Sequence, residues 1–524
     1  MDTKQLYMSD NKNDNSRKTF ILAGFIILKF LLQYFLYNPY YDLQRDEYLY
    51  LDQANHPAWG YLSVPPVTSW FSTIIQFLGN SVFWVRFFPA LIGALTLAIV
   101  WKAIEELKGN LYALILGATC VLLSVLLRIN FLFQPNSLDV LCWTAFYFVV
   151  IKYISTKNQK WFFIGAIVFA IGFLNKYNVA FLIMGFLPAI LLTEHRNIFT
   201  KKKFYYSLLL AFLLILPNLI WQYQNNFPVF FHMKELAATQ LVHVNRSDFV
   251  LDQIFYFIGA MPVIIAALFA LLFYKPFKKY RVFFWAIIFT LIIFIYFKAK
   301  AYYAIGLYPI YMSFGAAFLG NVLKEGRRKY WQPVFLAIPI LFYVLLFNII
   351  YSVKSPEYII KHEKPYKNLG LLRWEDGKDH SLPQDFADML GWKELALKVD
   401  SVVNQLPDKE HTLILCDNYG HAGAINYYEK NKNIKAVSFN ADYINWFDPD
   451  MKIENLIRVK DFSGSEDEFK KTSPYFDTSY IAGSITDSLA REYGTTIFVF
   501  SKPKINVNAR LKEEIEKNKK HEAN

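Results

Sequence analysis

The chain has few cysteines and few charged residues for its length. It contains three cysteines among 524 residues, and Asp, Glu, Lys and Arg together make up 19% of it. Cys120 and Cys142 lie inside apolar runs and Cys416 has no evident partner, which excludes a disulfide framework. No internal repeat is visible, although many secondary transporters are built from one. The main structural signal in this sequence is therefore its apolar residues.

Apolar residues make up 55% of the chain and are gathered in long runs. A helix needs about 20 apolar residues to cross a bilayer. The runs predict spans near residues 19–37, 82–101, 111–127, 138–153, 161–175, 178–193, 204–221, 251–274, 282–297, 303–320 and 332–353. The two short runs either side of Asn175 also fit one broken or buried pair. The sequence therefore predicts a polytopic α-helical membrane protein with about eleven spans.

The connecting segments predict an orientation. The N-terminal tail and every second connection after it carry 21 Lys and Arg residues, whereas the remaining connections carry 7. Because basic residues concentrate on the cytoplasmic side, we expect a cytoplasmic tail at residues 1–18 and a transmembrane domain at 19–353 in a cell (inner) membrane. The first span is long and has no small-residue cleavage site before its end, so it is expected to be retained. An odd number of spans then places residues 354–524 outside the cytoplasm.

The formal net charge of +12 does not indicate nucleic-acid binding. Much of the excess lies in short loops beside spans, in KPFKKYR at 275–281 and KEGRRK at 324–329. Such clusters contact the anionic headgroups of membrane lipids. A nucleic-acid-binding face needs positive charge gathered on one surface. We therefore expect membrane lipids as partners and no nucleic acid.

Residues 354–524 are polar and show a different pattern. Short apolar segments at 411–416, 434–439 and 495–500 alternate with helix-like stretches, which predicts a small extracytoplasmic α/β domain. The segment 417–423, DNYGHAG, follows the first predicted strand and opens a helix. It fits either a ligand-binding turn at a helix N-terminus or an ordinary strand-to-helix turn. Its spacing does not match the dinucleotide-binding fingerprint, and it is assigned no chemistry.

Polar residues also interrupt the apolar region in five places. They fall in the first loop at 38–81, at 134–139, at 175–177, in the loop at 222–250 and at 298–303. The predicted orientation puts all five on the extracytoplasmic side. Ionisable groups at a membrane face mark a functional site by default. His56, His232 and His243 lie in these loops without HxxH-type spacing, so no metal ligand is predicted.

The first loop carries the most specific pattern. In residues 41–66, YDLQRDEYLYLDQANHPAWGYLSVPP, an Asp-Glu pair at 46–47 is followed by Gly-Tyr at 60–61 and Pro-Pro at 65–66. This stretch resembles the first loop of polyprenyl-phosphate-sugar-dependent glycosyltransferases with a membrane-embedded C-type fold. The resemblance is to the branch of dolichyl-phosphate-mannose-type protein mannosyltransferases and bacterial lipid A glycosyltransferases. Weaker similarity continues at 134–143, 172–177 and 297–309. Val64 stands where aminoarabinose transferases carry Lys, so that donor is not implied.

The resemblance implies an inverting transferase. It would move a sugar from a polyprenyl-phosphate donor to a hydroxyl of a lipid, glycan or protein. A carboxylate takes the acceptor proton and cations stabilise the leaving phosphate in such a reaction. The implied catalytic residues are Asp46 as general base and Glu47 positioning it or the sugar. The implied donor-binding residues are Arg45, His56, Tyr61, Asp139, Lys176, Lys300, Tyr302 and Tyr303. No cofactor is predicted, and a need for a divalent metal stays open.

Each of these residues also fits a structural role. Asp46 and Glu47 can be first-turn acids of an interfacial helix, and Asp139 can be a first-turn acid of the fourth span. Lys176 and Lys300 can be lysines that reach for the membrane interface. A secondary transporter or lipid flippase is the alternative function, and a catalytically inactive receptor or scaffold is a third. Ionisable groups near the middle of the membrane would favour a transporter, whereas those of this chain lie near one face.

Overall fold

The computed structural model describes residues 3–429, 435–448 and 450–523. It consists of two compact units, each made from three chain segments. The first, here called the helical unit, comprises Met1–Tyr37, Val85–Pro217 and Val244–Tyr351. The second, here called the mixed unit, comprises Asn38–Trp84, Asn218–His243 and Ser352–Asn524. The first loop of the sequence therefore belongs to the same unit as the C-terminal residues.

The helical unit is built from α-helices joined by short turns. Its helices are Thr3–Phe35, Val82–Glu106, Leu111–Leu122, Leu126–Ile129, Pro135–Thr156, Lys160–Asn175, Val179–Leu191, Lys202–Gln224, Arg246–Tyr256, Met261–Phe273, Arg281–Tyr296, Tyr308–Val322 and Gln332–Ile350. Two of these helices, Val82–Glu106 and Lys202–Gln224, extend a few residues beyond the unit.

These helices confirm the predicted fold class. In the part of the chain that is described, seven helices are long and apolar enough to cross a membrane, or up to nine if each of two bent pairs is one span. Two shorter apolar helices, Leu111–Leu122 and Lys160–Asn175, account for the remaining predicted segments. Each of the eleven predicted apolar runs thus overlaps a helix. The fold is that of a multi-pass membrane protein with a C-terminal sheet domain.

Large aromatic side chains fill the centre of the helical unit. Trp143, Phe283, Phe294 and Tyr311 are completely or almost completely buried. Gly185 faces the backbone of the neighbouring helix so closely that an added Cβ would overlap it. Small residues at such crossings let membrane helices approach each other, which brings more atoms into van der Waals contact. The turns at the ends of these helices are therefore held in fixed positions.

The mixed unit contains one five-stranded sheet surrounded by helices. Its helices are Arg45–Asp52, Val67–Phe77, Pro228–Thr239, Pro356–Lys361, Glu363–Asn368, Gln384–Ala387, Trp392–Gln405, Tyr419–Tyr428, Ser465–Thr472 and Val507–Ala523. Its strands are β1 (Thr412–Cys416), β2 (Ala436–Ser438), β3 (Asn455–Lys460), β4 (Phe476–Ser484) and β5 (Thr496–Pro503). They lie in the order β2-β1-β3-β5-β4, with β1 parallel to β2 and β3, and with β5 antiparallel to β3 and β4.

The three strands predicted from the sequence correspond to β1, β2 and β5. Ile434, which begins the second predicted strand, lies outside the described residues. Strands β3 and β4 were not predicted. Strand β3 contains a charged residue, Arg458, which interrupts its apolar pattern. In the fold this residue forms an ion pair with Asp417 next to the sheet. Strand β4 is an edge strand whose side chains are mostly exposed, so its sequence lacks a continuous apolar run.

Candidate functional site

The helix Arg45–Asp52 carries the Asp-Glu pair, and its start is fixed by a capping box. The Gln44 backbone N–H donates to Glu47 Oε2 at 2.7 Å, and the Asp46 N–H donates to Gln44 Oε1 at 2.9 Å. These bonds satisfy N–H groups that a helix start leaves without partners. Glu47 is completely buried, whereas Asp46 is only half-buried. Glu47 thus orients the helix that presents Asp46.

Asp46 accepts a hydrogen bond from the C-terminal part of the mixed unit. The Tyr419 hydroxyl donates to Asp46 Oδ1 at 2.7 Å. The Arg45 guanidinium lies over the Tyr419 ring, 4.5 Å from its centroid. A cation over a tyrosine face is an attractive arrangement, and a short hydrogen bond to a carboxylate is among the stronger ones. Tyr419 is therefore held from two sides by adjacent residues of one helix.

Tyr419 belongs to the segment 417–423, here called the NYG turn. Asn418 caps the helix Tyr419–Tyr428, because its side-chain oxygen accepts from the His421 N–H at 3.1 Å. A Cβ at Gly420 would lie 2.8 Å from Arg45 Cγ, and one at Gly423 would lie 2.8 Å from Tyr48 Cβ. Both glycines are therefore needed for this helix to pack directly on the helix Arg45–Asp52.

Acidic groups surround Arg45. Burial opposes its charge, but Tyr419 and the carboxylates of Glu492, Asp46 and Asp388 outweigh burial and raise the pKa of Arg45. Burial likewise opposes the charge of Glu492. His421, which is within 3.1 Å, outweighs it together with Arg45 and Arg491 and holds the pKa of Glu492 at about 2. The charge of Arg45 is therefore balanced by acids within its own unit.

One cluster of the described residues has the composition of a metal site. A ligand atom from each of His421, Asp461 and Glu492 lies within 4.8 Å of the others. The Asn418 side-chain nitrogen stands among all three, at 3.5 Å from His421 Nε2, 3.3 Å from Asp461 Oδ1 and 3.4 Å from Glu492 Oε2. Its oxygen is already used in capping the helix, which fixes the orientation of the amide. An N–H donor thus faces all three ligand groups, which disfavours a cation between them.

His56 and Tyr61 support the first loop. The His56 ring stacks on Trp446 with centroids 4.1 Å apart. The Tyr61 hydroxyl lies 2.9 Å from Ser69 Oγ and 3.0 Å from the His56 carbonyl oxygen. Tyr61 is buried, so its hydroxyl ties two parts of the loop together. The predicted role of both residues in donor binding stays a prediction.

The second group of predicted residues lies in the helical unit. Lys176 Nζ donates to Asn136 Oδ1 at 2.7 Å and lies 5.1 Å and 4.6 Å from the ring centroids of Tyr302 and Tyr303. Lys300 Nζ lies 5.9 Å from the Tyr302 ring. Burial, reinforced by the charge of Lys300, lowers the pKa of Lys176 to about 8, although Asp139 acts in the opposite direction. The two ammonium groups thus both lie near the Tyr302 ring.

Asp139 lies beside these lysines and is itself held in place. It accepts from Trp143 Nε1 at 3.0 Å and from Asn178 Nδ2 at 2.8 Å, and it is buried. Asn178 also donates to the Tyr303 carbonyl oxygen at 3.0 Å, which links Asp139 to the segment that carries the tyrosines. Asp139 therefore lies near Lys176 and is tied to the segment that carries the tyrosines.

The predicted residues form two groups. Those in the mixed unit are Arg45, Asp46, Glu47, His56 and Tyr61, and those in the helical unit are Asp139, Lys176, Lys300, Tyr302 and Tyr303. Sequence reasoning missed Tyr419, Glu492 and Asn178. The NYG turn was a visible signal for the first, since glycines spaced by three beside a polar cap indicate a close helix contact. Nothing in the sequence marks Glu492 or Asn178.

Comparisons with known proteins confirm the predicted resemblance. Residues 63–221 match the family model described as dolichyl-phosphate-mannose-protein mannosyltransferase. In fold, the chain is similar to ArnT from Cupriavidus metallidurans, in crystal structures bound to undecaprenyl phosphate (TM-score 0.62) and in the apo state (TM-score 0.60). Both alignments have 12% sequence identity and cover 92% of this chain and 98% of that chain.

A third solved structure aligns less well. It is the Archaeoglobus fulgidus oligosaccharyltransferase tethered with an acceptor peptide, at 10% identity over 84% of this chain and 69% of that one. With a TM-score of 0.46, this similarity carries no weight for the fold or the function of the chain. No curated protein matches the chain significantly.

Proposed function

We propose that this protein, with the fold of ArnT and a family match to the dolichyl-phosphate-mannose-protein mannosyltransferases, is an inverting glycosyltransferase that uses a polyprenyl-phosphate sugar. The observation that carries the proposal is that Lys176 and Lys300 both lie near the Tyr302 ring, with Asp139 close to Lys176. This arrangement suits a phosphate. One ArnT structure is described as bound to undecaprenyl phosphate, which supports carrying over the donor class.

Asp46 is proposed as the general base. It is a half-buried carboxylate on a capped helix, so its position is fixed while it stays partly accessible. In the reaction the acceptor hydroxyl attacks the anomeric carbon and its proton passes to Asp46. The bond from this carbon to the phosphate oxygen breaks, and the electron pair leaves on the lipid phosphate. Attack opposite the leaving group inverts the anomeric configuration.

The remaining residues are given supporting roles. Lys176 and Lys300 stabilise the negative charge that grows on the leaving phosphate, which is where fixed cations contribute most. Tyr302 and Tyr303 offer ring faces to the sugar or the lipid. Because Arg45 faces three acids, the leaving phosphate is assigned to the lysines rather than to Arg45. Glu47 acts through the helix cap that orients Asp46.

The sidedness of the reaction follows from the distribution of basic residues. We place the N-terminal tail in the cytoplasm and the transfer on the extracytoplasmic side, with residues 354–524 facing outward, because basic loops stay inside. A reporter that is active only outside the cytoplasm, fused after residue 524, should be active. A silent fusion with normal expression, together with an active cytoplasmic reporter at the same position, would contradict this orientation.

The function is tested with purified protein and a panel of radiolabelled polyprenyl-phosphate sugars. Transfer of label to an acceptor hydroxyl, with inversion, is expected for at least one donor. Asp46→Asn keeps the shape but removes the basicity, so single-turnover transfer should fall about 10²–10⁴-fold while donor binding survives. Asp42→Asn, in the same loop, is the matched control and should transfer normally.

Two results would contradict this proposal. Normal transfer by Asp46→Asn would remove the base assignment, and loss in Glu47→Gln alone would move it to the next residue. Movement of an intact labelled lipid across a vesicle bilayer, without any new glycosidic bond, would instead favour the lipid flippase. Donor binding without either activity would favour the inactive receptor.

A further inference from the structure

We propose that Tyr419, in the C-terminal part of the mixed unit, is a positioning residue for the reaction of Asp46. The inference rests on the proposed function, because it assumes that Asp46 is the base. The Tyr419 hydroxyl donates to Asp46 Oδ1 at 2.7 Å and so fixes the rotation of the carboxylate. A general base must lie about 2.6–3.2 Å from the acceptor oxygen whose proton it takes. The rotation of the Asp46 carboxylate determines whether one of its oxygens can reach that position.

The position of Tyr419 is determined by its surroundings. It is the first residue of the helix Tyr419–Tyr428, which the Asn418 side chain caps. Its ring lies under the Arg45 guanidinium, and Arg45 is in turn balanced by Glu492 and Asp388. The hydroxyl therefore has little freedom to turn away from Asp46. A hydrogen bond held by rigid neighbours costs little reorganisation when the reaction occurs.

The two glycines of the NYG turn explain why the turn has this sequence. Gly420 and Gly423 lie where a side chain would overlap Arg45 and Tyr48, both on the helix Arg45–Asp52. The turn is thus shaped to bring Tyr419 against the first loop. The NYG turn is thereby assigned a positioning role, which differs both from a ligand-binding turn and from an ordinary strand-to-helix turn.

The helix Arg45–Asp52 also offers an internal comparison. The Tyr443 hydroxyl donates to Asp52 Oδ2 at 2.7 Å, the same length as the bond from Tyr419 to Asp46. Asp52 is buried and accepts further bonds from Asn426 and Asn55, as expected of a structural carboxylate. Asp46 is half-buried instead. Both bonds join the C-terminal part of the unit to one helix, but only one reaches the proposed base.

In the reaction Tyr419 keeps its own proton. The acceptor proton passes to Asp46 as the new bond to the anomeric carbon forms and the bond to the phosphate oxygen breaks. Tyr419 stabilises the carboxylate before this transfer and holds its orientation during it. It touches Asp46 and is given no contact with the substrates, so its effect is expected in turnover and not in donor affinity.

The test compares Tyr419→Phe with Tyr443→Phe in the full-length protein. Each change removes one hydroxyl and one 2.7 Å hydrogen bond to the same helix. Single-turnover transfer should fall roughly 10–100-fold in Tyr419→Phe, since small misplacement of a reacting group costs that much. Donor affinity should stay close to that of the parent, and the melting temperature should fall no further than in Tyr443→Phe. Tyr443→Phe should keep transfer within about threefold, even where its melting temperature falls.

Single-turnover transfer is also measured in Asp46→Asn and in the double variant Asp46→Asn/Tyr419→Phe. Together with the parent and Tyr419→Phe, these form a double-mutant cycle. If Tyr419 acts through Asp46, the double variant should transfer no more slowly than Asp46→Asn alone. Normal transfer by Tyr419→Phe beside an inactive Asp46→Asn would overturn this inference and leave the proposed function standing. Equal losses in the two Tyr→Phe variants would reduce Tyr419 to a structural contact. An active Asp46→Asn would instead remove the proposed base.

Discussion

The two groups of predicted residues differ in how their charges are balanced. In the mixed unit, Asp46 has a tyrosine donor, Glu47 caps a helix, and Arg45 faces several acids. In the helical unit, Lys176 lies near Asp139 and Lys300, and both lysines lie near the Tyr302 ring. Asp139 is itself held by two donors. The first group pairs opposite charges, whereas in the second two ammonium groups lie near the same tyrosine ring.

This difference separates two chemical tasks. A general base needs a fixed orientation, which the hydrogen bonds of the mixed unit supply without a ligand. A phosphate site needs fixed positive charge at the place where the leaving group becomes negative, which the lysines of the helical unit are proposed to supply. We therefore expect changes in the helical unit to act through phosphate charge, and changes in the mixed unit to act through geometry.

Within the helical unit, the largest effect is expected at Lys300. Lys300→Ala removes a cation that contributes most when the leaving phosphate carries its full charge, so turnover should fall about 10²–10³-fold. Lys300→Arg keeps the charge and should retain partial activity. Lys298→Ala, an exposed lysine two residues earlier, is the matched control and should behave like the parent. Parental turnover by Lys300→Ala would show that this lysine only anchors the chain at the interface.

The second prediction concerns pH. Lys176 must be protonated to attract phosphate, and burial lowers its pKa to about 8. The cation is present below this value and is lost as the pH rises through it, so kcat/KM for the donor should fall roughly tenfold per unit above pH 8. Besides burial, the charge of Asp139 raises this pKa and that of Lys300 lowers it.

Lys176→Arg tests the assignment, because a guanidinium stays protonated throughout this range. Its kcat/KM profile should lose the fall above pH 8, even if the absolute rate is lower. An unchanged alkaline limb in Lys176→Arg would mean that another group titrates there and that Lys176 is not the phosphate ligand.

The third prediction concerns a change that disturbs helix packing in the mixed unit and leaves every charged residue in place. A Cβ at Gly423 would lie 2.9 Å from the Tyr48 carbonyl carbon, so Gly423→Ala must push the two helices apart. Overpacking of this kind costs about 1–3 kcal/mol. Transfer should fall roughly tenfold with donor affinity retained. Gly483→Ala is the control, since its nearest neighbour, Lys398 Cδ, is 3.7 Å away. Equal effects of the two changes would argue against a close helix contact.

Much of the helical unit could be predicted, because a membrane span has a simple signal. Each apolar run overlaps a helix, and Lys176 and Lys300 both lie near the Tyr302 ring. Asn178 was missed because an amide beside a lysine in a turn has no distinctive pattern, and its bond to Asp139 spans 39 residues.

The mixed unit was less predictable, because its contacts join distant parts of the chain. Asp46 meets Tyr419 across 373 positions, and single-sequence patterns report only near neighbours. Glu492 lies in a loop without periodicity and reaches His421 only in three dimensions. The NYG turn is visible in the sequence, but the spacing of its glycines does not indicate which surface they approach.

The smallest effect is expected at Glu492 and concerns stability. Its pKa is held at about 2, below the usual value of 4.5, because His421 and two arginines outweigh the effect of burial. The ionised carboxylate therefore stabilises the fold above about pH 4.5, and this contribution is lost as the pH falls toward 2. Glu492→Gln should lower the melting temperature at pH 5, and by progressively less as the pH falls toward 2. Glu513→Gln, at an exposed position, should follow the parent throughout. A difference that did not shrink below pH 4.5 would mean that Glu492 stabilises the unit by packing alone, and the Arg45 charge would then depend on Asp46 and Asp388.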